Sequence, residues 1–289
     1  MRTQQVTIIG VGLIGGSLGM ALRGSGHYQV CGIGRHQAKL RAAKRRGAVD
    51  TFTVDYAAGV RDADVVVVCT PVDHVAPIIK TILPLCKPGA IITDAGSVKG
   101  CIIKDVARVF SAHGIHGSQM PAFVGAHPMA GIEKSGVESA SAHLYKDATI
   151  VIAGTVNASR AQMDVIKQLW RHAGGRIVEM DPVEHDVVVA LTSHVPHVVA
   201  YGLAGLAETL KGKHRTAAQL MAGSFKDATR VAASNPGDWA RICRANGTEI
   251  SKAITALIRF LTDTKKRINS VSSLEKLFEK GHRARCKLK

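Results

Sequence analysis

The first 180 residues alternate short apolar runs with polar stretches at helical spacing. Val6–Ile9, Val30–Ile33, Asp64–Thr70, Ala90–Thr93, Phe123–Ala126, Ala148–Ala153 and Arg176–Met180 read as strands. Asp64–Thr70 is apolar after its first residue and rich in β-branched side chains, as a strand covered on both faces must be. Ser17–Gly24, Lys39–Arg46 and Ala158–His172 read as helices between them. This alternation predicts βαβ units and a doubly wound parallel sheet. The pattern changes at Asp181-Pro182. Beyond it the apolar residues fall at helical spacing over Val183–Leu210, Ala217–Ala233, Trp239–Asn246 and Thr248–Ile268. The expectation is an α/β domain over residues 1–181 and an all-α domain over 182–289, with Asn235-Pro236-Gly237-Asp238 a turn before an N-cap.

A length of 289 residues suits two domains of roughly 100–200 residues each. No unbroken apolar run reaches the ~20 residues of a bilayer span. The N-terminus has no signal-like apolar segment. The six cysteines form no CxxC pair and read as reduced thiols of a cytoplasmic protein. The net charge of +16 fits nucleic acid, an anionic small molecule or a basic proteome. Its basic residues are dispersed without aromatic interleaving, which argues against nucleic acid. The basic end from Lys280 to Lys289 reads as a solvated, frayed tail. Two histidine pairs, in His113-Gly114-Ile115-His116 and at His194 and His197, lack a third ligand at zinc spacing, so no metal is expected.

Gly10-Val11-Gly12-Leu13-Ile14-Gly15 is G-x-G-x-x-G after a strand and opening a helix, the context in which the pattern binds a dinucleotide. Gly10 makes the turn, Gly12 admits a pyrophosphate, and Gly15 lets helix and strand approach. The N–H groups of Leu13, Ile14 and Gly15 face the phosphates from the positive end of the helix. Thr70 and Pro71, closing the neighbouring strand, are further cofactor contacts. An NAD site usually ends its second strand in Asp or Glu. Here that position is Gly34, followed by Arg35, a fork-shaped donor suited to a 2′-phosphate. NADP is therefore favoured over NAD.

Polar segments interrupt the apolar background at Asp94-Ala95-Gly96-Ser97-Val98-Lys99, Gly125-Ala126-His127-Pro128-Met129-Ala130-Gly131, Ser193-His194-Val195-Pro196-His197 and Phe225-Lys226-Asp227-Ala228-Thr229-Arg230. With the glycine turn and in this order, they resemble the prephenate/arogenate dehydrogenase family from about Val6 to about Ile268. The resemblance implies oxidative decarboxylation of a cyclohexadienyl substrate: hydride leaves C4 for the nicotinamide, CO2 leaves C1, and the ring becomes aromatic. It implies His127 as the base on the C4 hydroxyl and Ser97 as its hydrogen-bonding partner. It implies Arg230 on a substrate carboxylate, with His197, His194, Gly223 and Glu133 lining the substrate site. A histidine titrating near its ordinary ~6.5 suits such a base. Ile132 offers no charge to arogenate's ammonium group, which favours prephenate.

Each residue also has a plainer role open to it. Ser97 fits a helix N-cap, His194 a packing residue, and Arg230 a surface ion pair; Trp239 fits either the core or a neighbouring subunit's site. The sparsely charged helix over about 187–210 predicts a homodimer. A β-hydroxyacid dehydrogenase of the same two-domain plan is the rival enzyme. A cofactor-sensing nucleic-acid-binding protein is the rival from another class.

Overall fold

The computed structural model describes residues 3–113, 120–211, 214 and 216–287. Gly114-Ile115-His116 and the last two residues of the tail lie outside them. Eight strands form one sheet: β1 (Gln4–Ile9), β2 (Tyr28–Ile33), β3 (Thr51–Thr53), β4 (Val65–Val68), β5 (Ile91–Asp94), β6 (Ala122–Pro128), β7 (Thr149–Val156) and β8 (Arg176–Glu179). Their order is β3-β2-β1-β4-β5-β6-β7-β8. The first six run parallel, so the carboxyl ends of β1, β2, β4, β5 and β6 share one edge. The order reverses between β1 and β4, where an open α/β sheet presents a ligand crevice. The expected doubly wound parallel sheet is present, with one departure at β7, which pairs antiparallel with β6 and carries β8 parallel to itself.

Helices α1 (Leu13–Gly24), α2 (Gln37–Arg45), α3 (Tyr56–Val60), α4 (Val75–Ile82), α5 (Gly100–Ala112) and α6 (Arg160–His172) cover the sheet. One apolar cluster includes Val6, Ile8, Leu18, Leu22, Val67, Tyr145 and Trp170. The other includes Ile9, Ile33, Val66, Val68, Ile79, Ile92 and Phe123. Neighbouring residues of β4 fall in opposite clusters, because successive side chains of a strand point to opposite faces.

Asp181 ends this region. Its carboxylate accepts the N–H groups of Val183 at 2.8 Å and Glu184 at 3.1 Å, and Pro182 occupies the first helical position. The helix so started runs as α7 (Pro182–Val189), a wide π-type turn (Ala190–His194) and α8 (Val195–Lys211). Then come α9 (Ala217–Leu220), α10 (Gly223–Thr229), α11 (Pro236–Ala245), α12 (Gly247–Lys266) and α13 (Val271–Lys287).

Four details depart from the sequence reading. The stretch Ala217–Ala233 is broken into short pieces. The cap of α11 is Asn235, whose Oδ1 accepts from Gly237 and Asp238, and Asp238 lies inside the helix. The C-terminal segment is helical to Lys287, with Arg283 paired to Glu279 one turn away. Pro182–Leu210 is long and apolar enough, by length and composition alone, to cross a membrane. Scattered polar residues conceal this when only unbroken runs are counted.

Candidate active site

The glycine turn is shaped by three different constraints. Gly10 has φ +94°, and a Cβ there would lie 2.4 Å from the Cys69 carbonyl oxygen. A Cβ on Gly15 would lie 2.3 Å from the Gly10 oxygen, so β1 and α1 touch backbone to backbone. A Cβ on Gly12 would meet no protein atom within 4 Å. Gly12 also begins α1 without a side-chain cap, which leaves the first-turn N–H groups for a ligand. Thr70, whose methyl group borders Gly10, has a buried hydroxyl with no partner among the described residues. An uncapped helix, a side-chain-free Gly12 and an orphaned hydroxyl fit a dinucleotide. Arg35 is exposed just past the end of β2, and Gly34 follows that strand directly.

The other polar segments converge at the ends of β5 and β6. Lys99 is 0% exposed, its ammonium paired with the Asp94 carboxylate and donating to the Ala126 carbonyl at 2.8 Å. Asp94 in turn accepts from Ala126 N–H at 3.1 Å and Gly96 N–H at 2.9 Å. These bonds tie the loop carrying Ser97 to the strand carrying His127. Opposite Gly125, β7 holds one extra residue, accommodated by Gly154 at φ +77°. Such a bulge bends a strand and re-aims its neighbours.

His127 is buried at the end of β6, and its Nδ1 lies 2.8 Å from Nε2 of His185. His185, on α7, places Nδ1 2.8 Å from Oδ1 of Asp186. The Asp186 carboxylate also accepts the N–H groups of Lys99 and Gly100, each at 2.8 Å. It thus caps α5, the role open to Ser97 on sequence grounds. Ser97 lies upstream of the helix start, half-buried, with no hydrogen bond from its hydroxyl among the described residues. Burial lowers the His127 pKa well below its ordinary value, with His185, Lys99 and His194 adding to the shift. The imidazole is therefore a neutral acceptor at physiological pH, where the sequence suggested one poised near 6.5.

Glu133 and Arg230 meet as an ion pair, with 64% of the arginine side chain still exposed. His197 donates from Nδ1 to the Ser193 carbonyl at 2.9 Å and stacks on Trp239 with ring centroids 3.5 Å apart. Trp239 therefore packs against a histidine of its own chain while staying partly exposed.

Two matches cover nearly the whole chain. The nucleotide-binding domain of prephenate dehydrogenase matches residues 18–179, and its dimerization domain matches residues 181–280. The chain belongs to the prephenate dehydrogenase family. A cyclohexadienyl dehydrogenase of Zymomonas mobilis is 33% identical, covering 99% of this chain and 96% of that one. The structure of a prephenate dehydrogenase from A. aeolicus, in complex with hydroxyphenyl propionate and NAD+, superposes with a TM-score of 0.87 at 29% identity, covering 100% of this chain and 99% of that one. The arogenate dehydrogenase of Synechocystis gives 0.80 at 26% identity, covering 98% and 99%. The superpositions on the two solved structures extend over both the mostly parallel sheet and the helical region of this chain.

The expected residues differ in how far they are exposed. His194 is 0% exposed: its Nδ1 lies 3.2 Å from the Asn246 amide nitrogen and its ring meets the edge of Trp239. Its side chain is packed inside the fold, the plainer of the two roles open to it. Burial takes its pKa down to about 4, despite the opposing pull of Asp186. Gly223 is exposed at the start of α10. The sequence reading missed His185, Asp186 and Asn246. The first two had a signal, since Glu184-His185-Asp186 is a polar interruption in an otherwise apolar helix. Asn246 had none. No group of three or more metal-ligating side chains occurs among the described residues.

Proposed function

We propose that this chain catalyses the NAD(P)-dependent oxidative decarboxylation of prephenate to 4-hydroxyphenylpyruvate, with its cofactor domain ending at Asp181. The single observation that carries the catalytic part is His127: buried, neutral, anchored at Nδ1, with Nε2 making no hydrogen bond to any described residue. That nitrogen takes the proton of the ring hydroxyl, help typically worth ~10²–10⁴-fold. Ser97 orients the same hydroxyl. Arg230 holds a carboxylate of the substrate, which competes for the guanidinium with Glu133. His197, fixed by Trp239 and the Ser193 carbonyl, bounds the substrate with Gly223. Gly10, Gly12, Leu13, Ile14, Gly15, Thr70 and Pro71 hold the dinucleotide, which when bound supplies the hydride acceptor. Arg35 beside Gly34 favours the 2′-phosphate of NADP. Arogenate is the alternative substrate, and the absence of charge at Ile132 speaks for prephenate.

A crossed assay at 340 nm, prephenate and arogenate against NAD and NADP, tests both choices. The expected result is turnover of prephenate with the higher kcat/KM for NADP, and loss of that preference in Arg35→Ala. A wild type that strongly prefers NAD removes the role of Arg35, and turnover of arogenate alone removes the prephenate assignment.

The chain acts as a homodimer through its helical half, in the cytoplasm. Among the described residues there, Ala190, Val195 and Ile250 form a small buried cluster, while Leu191 is 62% and Leu206 67% exposed. A face so apolar on a family dimerization domain is covered by a second copy. Sedimentation at micromolar concentration is expected to show twice the 30.6 kDa chain mass; a species of the single-chain mass alone contradicts the dimer.

A further inference from the structure

The buried row Asp186–His185–His127 does more than fill space, because its proton positions are coupled. An ionised carboxylate only accepts hydrogen bonds, so the 2.8 Å contact from His185 Nδ1 to Asp186 requires a proton on that nitrogen. A neutral imidazole has one N–H, which leaves His185 Nε2 as an acceptor. The 2.8 Å contact to His127 Nδ1 then requires the proton of His127 to sit on Nδ1. The lone pair of His127 is left on Nε2. Reversing any link would put the proton on Nε2, and the imidazole could no longer accept one there.

We propose that His185 and Asp186 are positioning residues that hold His127 in its proton-accepting tautomer, through a carboxylate anchored on the N-terminus of α5. The proposal rests on His127 being the base. When the ring hydroxyl gives its proton to Nε2 of His127, the resulting imidazolium keeps its Nδ1–H bond to His185. His185 keeps its own proton, and Asp186 stays ionised; no proton travels along the row. The device places the orienting groups on the helical half of the chain and the base on the sheet. It also explains two buried polar side chains that touch neither the glycine turn nor the Arg230 pair.

The test leaves Asp186, and with it the cap of α5, intact. In His185→Gln the side-chain oxygen can still accept from His127 Nδ1; in His185→Leu nothing can. His185→Leu is expected to lose at least ~10²-fold in kcat with KM within about threefold, and His185→Gln to retain at least a tenth of wild-type kcat. Nitrogen NMR of histidine-labelled, cofactor-free protein is expected to show His127 protonated at Nδ1 in the wild type and in His185→Gln, and at Nε2 in His185→Leu. Equal losses in the two variants, a loss carried by KM, or an Nε2 proton in the wild type overturns the proposal. Should His185→Leu fail to fold, the tautomers in wild type and His185→Gln decide it. If His127→Asn costs kcat while His185→Leu does not, the orienting role falls and the base stands. If His127→Asn costs little, the base assignment itself falls.

Discussion

Replacing His127 by asparagine is expected to lower kcat by ~10²–10⁴-fold while leaving KM for both substrates within a few-fold. The split follows from the geometry. His127 is held by a side-chain hydrogen bond to His185 on one side and offers the other nitrogen to a proton that moves only as the reaction proceeds. An interaction made only in the transition state shows up in kcat. Asparagine keeps a polar group of similar reach to Nδ1, so His185 keeps a partner and folding is little disturbed. Steady-state rates at 340 nm, with thermal melts as a control for folding, measure the effect. A loss of only a few-fold in a well-folded variant refutes the base assignment.

The second large effect concerns stability. Lys99→Met is expected to destabilise the protein by about 3–5 kcal/mol, because it leaves Asp94 as an uncompensated charge in a site with no solvent exposure. The two N–H groups that Asp94 accepts, from Gly96 and Ala126, do not replace a cation. Adding Asp94→Asn to Lys99→Met is expected to recover part of the loss, since the stranded charge is then gone. Urea unfolding of the two variants and wild type measures this. A single variant as stable as wild type would show that the pair contributes no more than an exposed ion pair does. The pair is expected to matter for activity too, since it clamps the Ser97 loop to the strand of His127.

The sequence carried the sheet well where strands are buried on both faces. Val65–Val68 has no polar position to confuse the period, and its neighbours follow the same rule. It carried β3 poorly, because Thr51–Thr53 is three residues at an edge. The reversal of direction at β7 is set by tertiary pairing, and no local pattern distinguishes an antiparallel strand of this kind from a parallel one. Within the site, residues lying in strand-end motifs were legible: Gly10, Gly12, Ser97 and His127 all follow or close strands. His185 and Asp186 showed only as a polar interruption of an apolar helix; their role was hidden, because it depends on partners 58 and 87 residues away in the chain. Arg230 and Glu133, 97 residues apart, illustrate the same limit: each was visible as a charged residue, but their pairing is a product of the fold.

The wide turn at Ala190–His194 works like a phase shift on a single rod. Each residue of an α-helix advances the side-chain direction by about 100°. Without the slack of that turn, a helix that aims His185 and Asp186 at the sheet would aim the segment after His194 elsewhere. Shortening it by one residue would swing every group from Val195 to Leu210 about a quarter of a revolution. The face that stacks on Trp239 and the oily ridge around Leu206 would both be misdirected at once. A one-residue length change there would thus displace His197 and Leu206 together relative to His185 and Asp186.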